Sequence, residues 1–392
     1  MAFGVAMRNV GTYVQVNTAG VPFKAFVPAP LPPEPPLNLT TADHDLVDRA
    51  NRALGRLDGL TSLLPNISLF RYAYVRKEAV VSSQIEGAQS SLADLLLYES
   101  DQAPGFPIED AREVSDYVAA LDHGLRRLRG GFPMSLRLLR EIHGILLRSG
   151  RGSEKSPGEF RTSQVWIGGS RPGNARFVPP PADRVIECMG ALEKFLHGQP
   201  TQVPALIKAG LAHVQFETIH PFLDGNGRVG RLLITFLLAA DGALSEPILY
   251  LSLYFKSHRQ EYYDHLQRVR TDGDWEGWLR FFLQGVVETA DEALETTRRI
   301  LALFDKDRRR LEGLGRAAAS AFRVFEFLQR KPITGVQAMT KELELTYPTV
   351  ASALDRMKKL HVVKELTGYK RNRVFAYAPY VEILSEGTEP LR

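Results

Sequence analysis

One short segment of this chain combines a histidine, a carboxylate, a glycine-rich turn and two arginines. Residues 220–231 contain, in order, His220, Asp224, Gly225, Asn226, Gly227, Arg228 and Arg231. Glycine and asparagine tolerate left-handed backbone angles, so the successive N–H groups of the turn at 225–227 can converge on one anion. These residue types therefore predict a phosphate-binding loop.

The residues around the turn add charge and proton transfer. An apolar-rich run of helical length follows Gly227 and predicts that the loop lies at a helix N-terminus, where the dipole favours anions. Arg228 and Arg231 are spaced i, i+3, so both guanidinium groups can reach phosphate oxygens. Asp224 is a hard oxygen ligand suited to Mg²⁺ together with substrate phosphates. His220 can accept a proton near neutral pH.

A plain turn is the alternative interpretation. Asp-Gly and Asn-Gly pairs are ordinary turn sequences, and the segment does not fit the calcium-loop template. A histidine upstream of the aspartate and two arginines at the start of a helix are not explained by a turn alone. The combination favours a catalytic site.

The segment resembles the signature of the Fic family, His-x-Phe-x-(Asp/Glu)-Gly-Asn-Gly-Arg-x-x-Arg, and it fills every fixed position. Most characterised members transfer AMP from ATP to a protein hydroxyl. The resemblance implies that His220 deprotonates the target side chain, Phe222 anchors the loop and Asp224 binds Mg²⁺. It also implies that the phosphates of ATP contact Gly225, Asn226, Gly227, Arg228 and Arg231.

A second short motif lies upstream. Residues 82–87 close a run of helical periodicity, and Gly87 is a natural helix C-cap. A lone glutamate near a helix end is, by itself, most simply a solvated residue. Ser82, Glu86 and Gly87, however, resemble the Fic inhibitory motif, (Ser/Thr)-x-x-x-Glu-(Gly/Asn). The resemblance implies that Glu86 pairs with Arg231, because a carboxylate and the γ-phosphate of ATP compete for one guanidinium.

Residues 157–181 lack helical periodicity and carry a turn-rich centre, which predicts a β-hairpin. This hairpin resembles the Fic flap, which holds a target protein by strand addition. The resemblance places nucleotide contacts at Val165, Trp166, Ile167, Gly168, Tyr262 and Tyr263. Paired tyrosines at helical positions are also ordinary core residues. His143 is predicted to be a packing or surface residue rather than a ligand, and His213 is predicted to be structural.

The periodicity predicts a mainly α fold, in which the family resemblance implies a Fic-type helical core with a β-hairpin flap. The C-terminal elements predict a winged helix-turn-helix domain. The predicted order is an N-terminal arm and proline-rich linker at 1–40, a helical region with the inhibitory motif at 41–130, the Fic core at 131–290, a linker helix at 291–316 and the winged helix domain at 317–392. In the last domain we predict helices at 333–343 and 347–360 and a strand pair at 362–366 and 373–377.

The helix that begins at Tyr347 is in the recognition position of such a domain. Five basic residues on it and on the wing could contact DNA phosphates: Lys358, Lys359, Lys370, Arg371 and Arg373. Winged helices also serve as protein-binding or dimerisation modules. DNA, a protein partner and a homodimer therefore remain alternatives.

The composition is that of an ordinary globular protein, with 44% hydrophobic and 24% charged residues. The net charge of +4 is mildly basic and does not by itself identify a ligand. The single cysteine, Cys188, excludes an internal disulfide. The sequence has no signal-peptide pattern and no apolar run long enough for a membrane span, so we expect a cytoplasmic protein without a membrane partner.

Together these features predict a protein adenylyltransferase that transfers AMP from Mg-ATP to a Ser, Thr or Tyr hydroxyl and is autoinhibited by Glu86. Self-modification and the reverse removal of AMP stay open. The alternative is a winged-helix DNA-binding regulator that uses the Fic-like core as a nucleotide sensor. The intact His220 and Asp224 argue against this alternative, because a sensor does not need a base.

Overall fold

The computed structural model describes residues 8–18, 21–63, 67–99, 108–246, 248–368 and 372–390. The chain divides into two compact units. The first comprises Met1–Asp58 with Asp116–Ala290, and the second comprises Gly59–Ser115 with Asp291–Arg392. The predicted helical region at 41–130 is therefore shared between the two units. The fold is mainly helical, as predicted.

The first unit begins with an antiparallel strand pair, β1 (Gly11–Thr18) and β2 (Val21–Pro28). Apolar residues of this pair, among them Phe23 and Ala25, pack against Val178 of the predicted flap. The backbone N–H of Phe26 also donates to the carbonyl of Val178 at 2.9 Å. The predicted N-terminal arm is thus a hairpin that supports the flap.

Nine α-helices lie wholly or partly in the described portion of the first unit. They are α1 (Thr41–Leu63), α4 (Ile108–Arg129), α5 (Leu136–Leu146), α6 (Val185–Leu196), α7 (Ala205–Ile219), α8 (Asn226–Ala240), α9 (Ser252–Ser257), α10 (Arg259–Asp272) and the start of α11 (Trp275–Glu312). Every residue from 206 to 219 is buried, and α8 is buried over most of its length. Helices that are buried on all sides belong in a core. The loop between α7 and α8 therefore joins two core helices of the first unit.

The second unit contains α2 (Ile67–Ile85), α3 (Leu92–Glu99), the second part of α11, and a C-terminal group of short elements. This group is α12 (Ala318–Arg330), β3 (Ile333–Gly335), α13 (Val336–Leu343), α14 (Tyr347–Lys359), β4 (Lys364–Glu365), β5 (Val374–Ala376) and α15 (Ala378–Ser385). We call it the C-terminal domain. Its three strands form an antiparallel sheet in the order β3-β5-β4.

Three details differ from the sequence predictions. The predicted helix at 333–343 begins only at Val336, because the β-branched Ile333 and Thr334 pair with β5 as a strand. The predicted linker helix at 291–316 is the second part of α11, a continuous helix of 38 residues. Helix α15 was not predicted. Lys370 and Arg371, the predicted basic tip of the wing, lie outside the described residues.

No helix in the described part of the chain is long and apolar enough to cross a membrane.

Candidate active site

The backbone at His220 turns the chain out of helix α7. His220 closes the helix with its N–H bonded to the carbonyl of Phe216 at 2.9 Å, and it adopts left-handed angles of φ 50° and ψ 61°. A non-glycine residue in this conformation costs roughly 1–2 kcal/mol, so its surroundings must hold it there. The imidazole remains partly exposed, with its Nδ1 atom 4.0 Å from the Glu217 carboxylate.

Arg161 supplies that support. This buried guanidinium donates to the carbonyls of His220 at 2.8 Å, Pro180 at 2.6 Å, Ser163 at 3.2 Å and Ile219 at 3.3 Å. Burial lowers the pKa of Arg161 to about 10, so the group stays charged at neutral pH. One side chain therefore fixes both the end of α7 and the base of the flap.

Phe222 anchors the loop in the core, as the family resemblance implied. Its ring is fully buried and stacks on the imidazole of His143, with centroids 3.7 Å apart and planes within 5°. The N–H of Gly158 donates to Nδ1 of His143 at 2.8 Å, so Nε2 carries the proton and donates to the carbonyl of Asp224 at 3.0 Å. Burial lowers the pKa of His143 to about 4, which keeps the ring neutral.

His143 is a packing residue, one of the two predicted possibilities, and it supports the loop of the candidate site through Phe222 and the carbonyl of Asp224. Neither His143 nor Arg161 was identified from the sequence as part of the site. Both act through backbone carbonyls of the motif loop, and no spacing in a single sequence marks such contacts. An alignment of related chains is the signal that could have found them.

The glycine-rich turn is built differently from the predicted nest. Only Gly225 has a left-handed backbone, with φ 73°, and helix α8 already begins at Asn226, earlier than the sequence suggested. The Asn226 side chain locks the loop by accepting from the N–H of Phe222 and donating to its carbonyl, both at 2.9 Å. The backbone N–H groups that can face an anion are therefore those of a helix N-terminus preceded by one left-handed glycine.

Asp224 lies beside this N-terminus. Its Oδ1 atom accepts from the N–H of Gly225 at 2.6 Å and lies 3.8 Å from the Arg228 guanidinium. On its other side, Oδ2 lies close to Gly152, where a Cβ would approach this oxygen to 3.0 Å. The side chain is 34% exposed, which leaves it accessible to a cation from solvent.

Arg228 and Arg231 are the third and sixth residues of α8, so they lie in its first and second turns. Both are buried, at 0% and 3% exposure. Gly230, between them, lies against α7, and a Cβ there would be 2.4 Å from Oε1 of Glu217. The start of α8 thus places two cationic side chains in a tightly packed setting at the end that favours anions.

Tyr262 belongs to the core behind the site. Its ring is 1% exposed, and its hydroxyl is 2.8 Å from Nε2 of His213, whose Nδ1 lies 2.9 Å from the carbonyl of Gly230. The predicted structural role of His213 therefore consists of linking α7, α8 and α10. Tyr263 is half-buried and lies under the Arg259 guanidinium, 5.6 Å from the ring centroid. A nucleotide contact at Tyr262 or Tyr263 stays a prediction.

His213 makes the first unit sensitive to acid. Burial lowers the pKa of His213 to about 3, so the imidazole is neutral in the folded protein. In the unfolded chain the same imidazole takes up a proton near its ordinary pKa. The preference of the fold for neutral His213 stabilises the protein fully above pH ~6.5. This stabilisation is lost progressively as the pH falls towards 3, by up to about 1.4 kcal/mol per pH unit.

We expect His213→Gln to flatten the pH dependence of the unfolding free energy between pH 6.5 and 5. Urea titrations at a series of pH values measure it. The exposed His197, at the end of α6, provides the control substitution His197→Gln. Equal slopes for wild type and His213→Gln would contradict the buried neutral imidazole.

The flap is a short hairpin. Ile167 and Phe177 form an antiparallel bridge with bonds of 2.8 and 3.1 Å, and the N–H of Arg176 donates to the carbonyl of Gly168 at 3.2 Å. The tip is a 3₁₀ turn at Pro172–Asn174. Trp166 is 40% exposed and Val165 is half-buried, so this strand presents side chains towards solvent.

The second motif closes helix α2. The helix ends at Ile85, and Gly87 has the positive φ of 101° expected of a C-terminal glycine. Ser82 is fully buried, whereas Glu86 is half-buried. This motif belongs to the second unit and the residues 220–231 to the first. The pairing of Glu86 with Arg231 stays a prediction.

Two regions of the chain match family models. Residues 44–126 match the Fic/DOC family N-terminal region, and residues 133–238 match the Fic/DOC family. The chain carries a Fic/DOC domain. This domain includes the flap and the whole of 220–231, while the inhibitory motif lies in the Fic/DOC N-terminal region. Tyr262, Tyr263 and the C-terminal domain lie outside both matches.

Relatives and solved structures agree with this assignment. The Protein adenylyltransferase Fic of Aedes aegypti is 34% identical over 254 residues, which cover 62% of this chain and 48% of the relative. That of Culex quinquefasciatus is 34% identical over 218 residues, 54% of this chain and 40% of the relative. The chain thus spans less than half the length of these relatives.

The fold of the Fic/DOC domain is shared with solved structures. A Fic family protein from Desulfovibrio desulfuricans superposes with a TM-score of 0.57 at 21% identity, over 87% of this chain and 97% of that protein. A Fic domain containing signaling protein from Bacteroides thetaiotaomicron gives a TM-score of 0.51 at 18% identity, over 63% of this chain and 96% of that one.

Proposed function

We propose that this protein is a protein adenylyltransferase that transfers AMP from ATP to a Ser, Thr or Tyr hydroxyl of a protein. The observation that carries the proposal is the motif loop. His220, Asp224, Arg228 and Arg231 are brought to one loop and the following helix turn, and buried contacts from Arg161 hold that loop. The relatives named Protein adenylyltransferase Fic support the same reaction.

The chemistry follows from the residue types. His220 accepts the proton of the target hydroxyl, whose oxygen then forms a bond to the α-phosphorus of ATP. The bond from that phosphorus to the bridging oxygen breaks, and pyrophosphate leaves. The N-terminus of α8 with Arg228 and Arg231 stabilises the negative charge on the leaving phosphates. Positioning of the two reactants accounts for much of the rate.

Mg²⁺ is the divalent cation that we propose for this site, with Asp224 as its protein ligand. The described residues contain no group of three or more His, Cys, Asp or Glu side chains that could hold a metal ion. A single carboxylate that shares the cation with substrate phosphates is the usual magnesium arrangement in phosphoryl-transfer sites. When bound, the cation would neutralise phosphate charge. We assign the role of ligand to Oδ2 of Asp224, because Oδ1 already accepts from the N–H of Gly225.

We place the target on the flap, by addition of an extended segment beside 165–168. The exposed ring of Trp166 offers apolar contact to such a segment. We further propose that Glu86 lowers activity by competing with a phosphate oxygen for Arg231.

Labelling with ATP tests the reaction. We expect the purified chain with Mg²⁺ to acquire label from adenine-labelled ATP and none from ATP labelled in the γ-phosphate. Label from the γ-phosphate would mean phosphate transfer and would overturn the proposal.

Glu86→Gly is expected to raise self-labelling by about tenfold or more, because an interaction of roughly 1.5–3 kcal/mol with a guanidinium is lost. The reading is label incorporated per minute under the same conditions. Glu86→Gln is the matched variant, since it keeps the size of the side chain and removes its charge. Unchanged labelling in both variants would end the inhibition model.

For the C-terminal domain we propose a winged helix-turn-helix fold whose role is not DNA binding. Two of its five basic candidates are occupied within the domain. Arg373 bonds to Glu365 at 2.8 Å and to Asp355 at 2.7 Å, and Lys358 bonds to Glu365 at 2.9 Å. These carboxylates offset the positive charge of the recognition helix and wing. A salt-dependent mobility shift of DNA that disappears on deletion of residues 317–392 would overturn this view.

A further inference from the structure

We propose that the C-terminal domain is the element that holds the inhibitory helix α2, and that it thereby sets the activity of the Fic/DOC domain. This inference rests on the proposed function, in which Glu86 at the end of α2 lowers activity. It assigns a task to a domain that neither the signature nor the inhibitory motif explains.

Helix α2 is packed by parts of the chain that are distant in sequence. Helices α12 and α15 of the C-terminal domain both contact α2, and α15 also contacts α3. Upstream on α2, the hydroxyl of Tyr74 donates to the carbonyl of Ala293 at 3.0 Å, and Lys77 lies 3.6 Å from Glu292. The inhibitory helix therefore belongs structurally with the second part of the chain.

The closest link is made by Gln84, inside the motif itself. Its side-chain Nε2 donates to the carbonyl of Ser90 and to the carbonyl of Thr388, each at 2.8 Å. Gln84 and Thr388 are both 1% exposed. Thr388 is in turn fixed to the end of α15 by two bonds to the carbonyl of Ser385, at 2.8 and 2.9 Å.

This geometry connects the chain terminus to the inhibitory glutamate in few steps. Gln84 precedes Glu86 by two residues, and the turn that follows is fixed by bonds from Gly87 to the carbonyl of Gln84 and from Ala88 to that of Ser83. The family motif leaves the position of Gln84 unspecified, so the motif does not account for this link. A buried carbonyl that loses its hydrogen-bond donor destabilises the fold, so the bond from Gln84 to Thr388 holds α2 to the C-terminal domain. We call this bond the latch.

The latch couples the docking of the C-terminal domain on α2 to the release of Glu86. If α2 is held only while the C-terminal domain is docked on it, then any change that favours the undocked domain also favours the released glutamate. Binding of a partner to the undocked C-terminal domain would consequently activate the enzyme without touching the catalytic loop.

Two changes to the full chain test the latch: Gln84→Leu, and a chain that ends at Glu386 and so lacks Thr388. Each is expected to raise self-labelling with ATP about tenfold, the equivalent of one buried hydrogen bond with its unsatisfied partner. In a His220→Ala background, each should also tighten binding of a fluorescent ATP analogue by a similar factor. That second reading is independent of catalysis.

Gln337→Leu is the matched control, because Gln337 is an exposed glutamine of the C-terminal domain that bonds to Asn372. It should leave labelling unchanged. Glu86→Gly separates the two proposals. If Glu86→Gly activates but neither Gln84→Leu nor the shortened chain does so, the latch is wrong. If Glu86→Gly itself has no effect, the inhibition model fails and the latch fails with it.

Discussion

Replacement of His220 by alanine is expected to lower the rate of AMP transfer by roughly 10²–10⁴-fold, the usual contribution of a general base. The fold should survive, because the imidazole is partly exposed and the left-handed backbone is held through the carbonyl of His220 rather than through its ring. The initial rate of labelling from adenine-labelled ATP measures the loss. Affinity for an ATP analogue should change little, since the phosphates are assigned to the N-terminus of α8.

The exposed His197 offers a control for the removal of an imidazole from the same domain. His197→Ala should retain full labelling and an unchanged melting temperature. A His220→Ala protein that still labels at more than a tenth of the wild-type rate would show that the hydroxyl does not need this base.

Arg161→Met is the second change with a large expected effect. It removes a buried donor from four backbone carbonyls and replaces it with an apolar chain of similar length. Bonds to a charged donor contribute about 1.5–3 kcal/mol each, although the losses are not additive, so we expect the unfolding free energy to fall by about 3–5 kcal/mol. Urea unfolding followed by circular dichroism measures it.

Arg161→Lys separates charge from geometry. An ammonium group cannot reach four carbonyls in the fork arrangement of a guanidinium, so this variant should recover only a minor part of the stability. Arg184→Met, which removes an exposed pair with Glu187 in the same unit, should leave the unfolding free energy close to that of the wild type. Equal losses for Arg161→Met and Arg184→Met would mean that Arg161 does not support the loop.

The sequence was sufficient for the class of fold, and it also indicated the residues to which we assign the chemistry. These residues could be found because residues 220–231 form one continuous segment, the loop before α8 and the start of α8. A plain turn does not explain this combination of residue types. The family resemblance also supplied Phe222 as the anchor of that loop, and the flap was visible from its turn chemistry.

What the sequence could not provide were contacts between distant segments. Arg161 and His143 look like an ordinary arginine and an ordinary helical histidine, and their importance lies in carbonyl groups that every residue possesses. Asn226 matched the signature, but nothing in the sequence indicated that its side chain bonds to the backbone of Phe222. The strand β3 was missed because three residues that pair across a sheet are too few to establish a period.

Gly230 occupies one of the two positions that the family signature leaves free between its arginines. A Cβ there would come within 2.4 Å of Oε1 of Glu217, so alanine must displace this carboxylate, which lies beside His220. Alanine normally stabilises a helix relative to glycine by about 1 kcal/mol, so a propensity scale would recommend a substitution that moves a charge next to the proposed base. A saturation library should therefore score position 230 by activity as well as by stability.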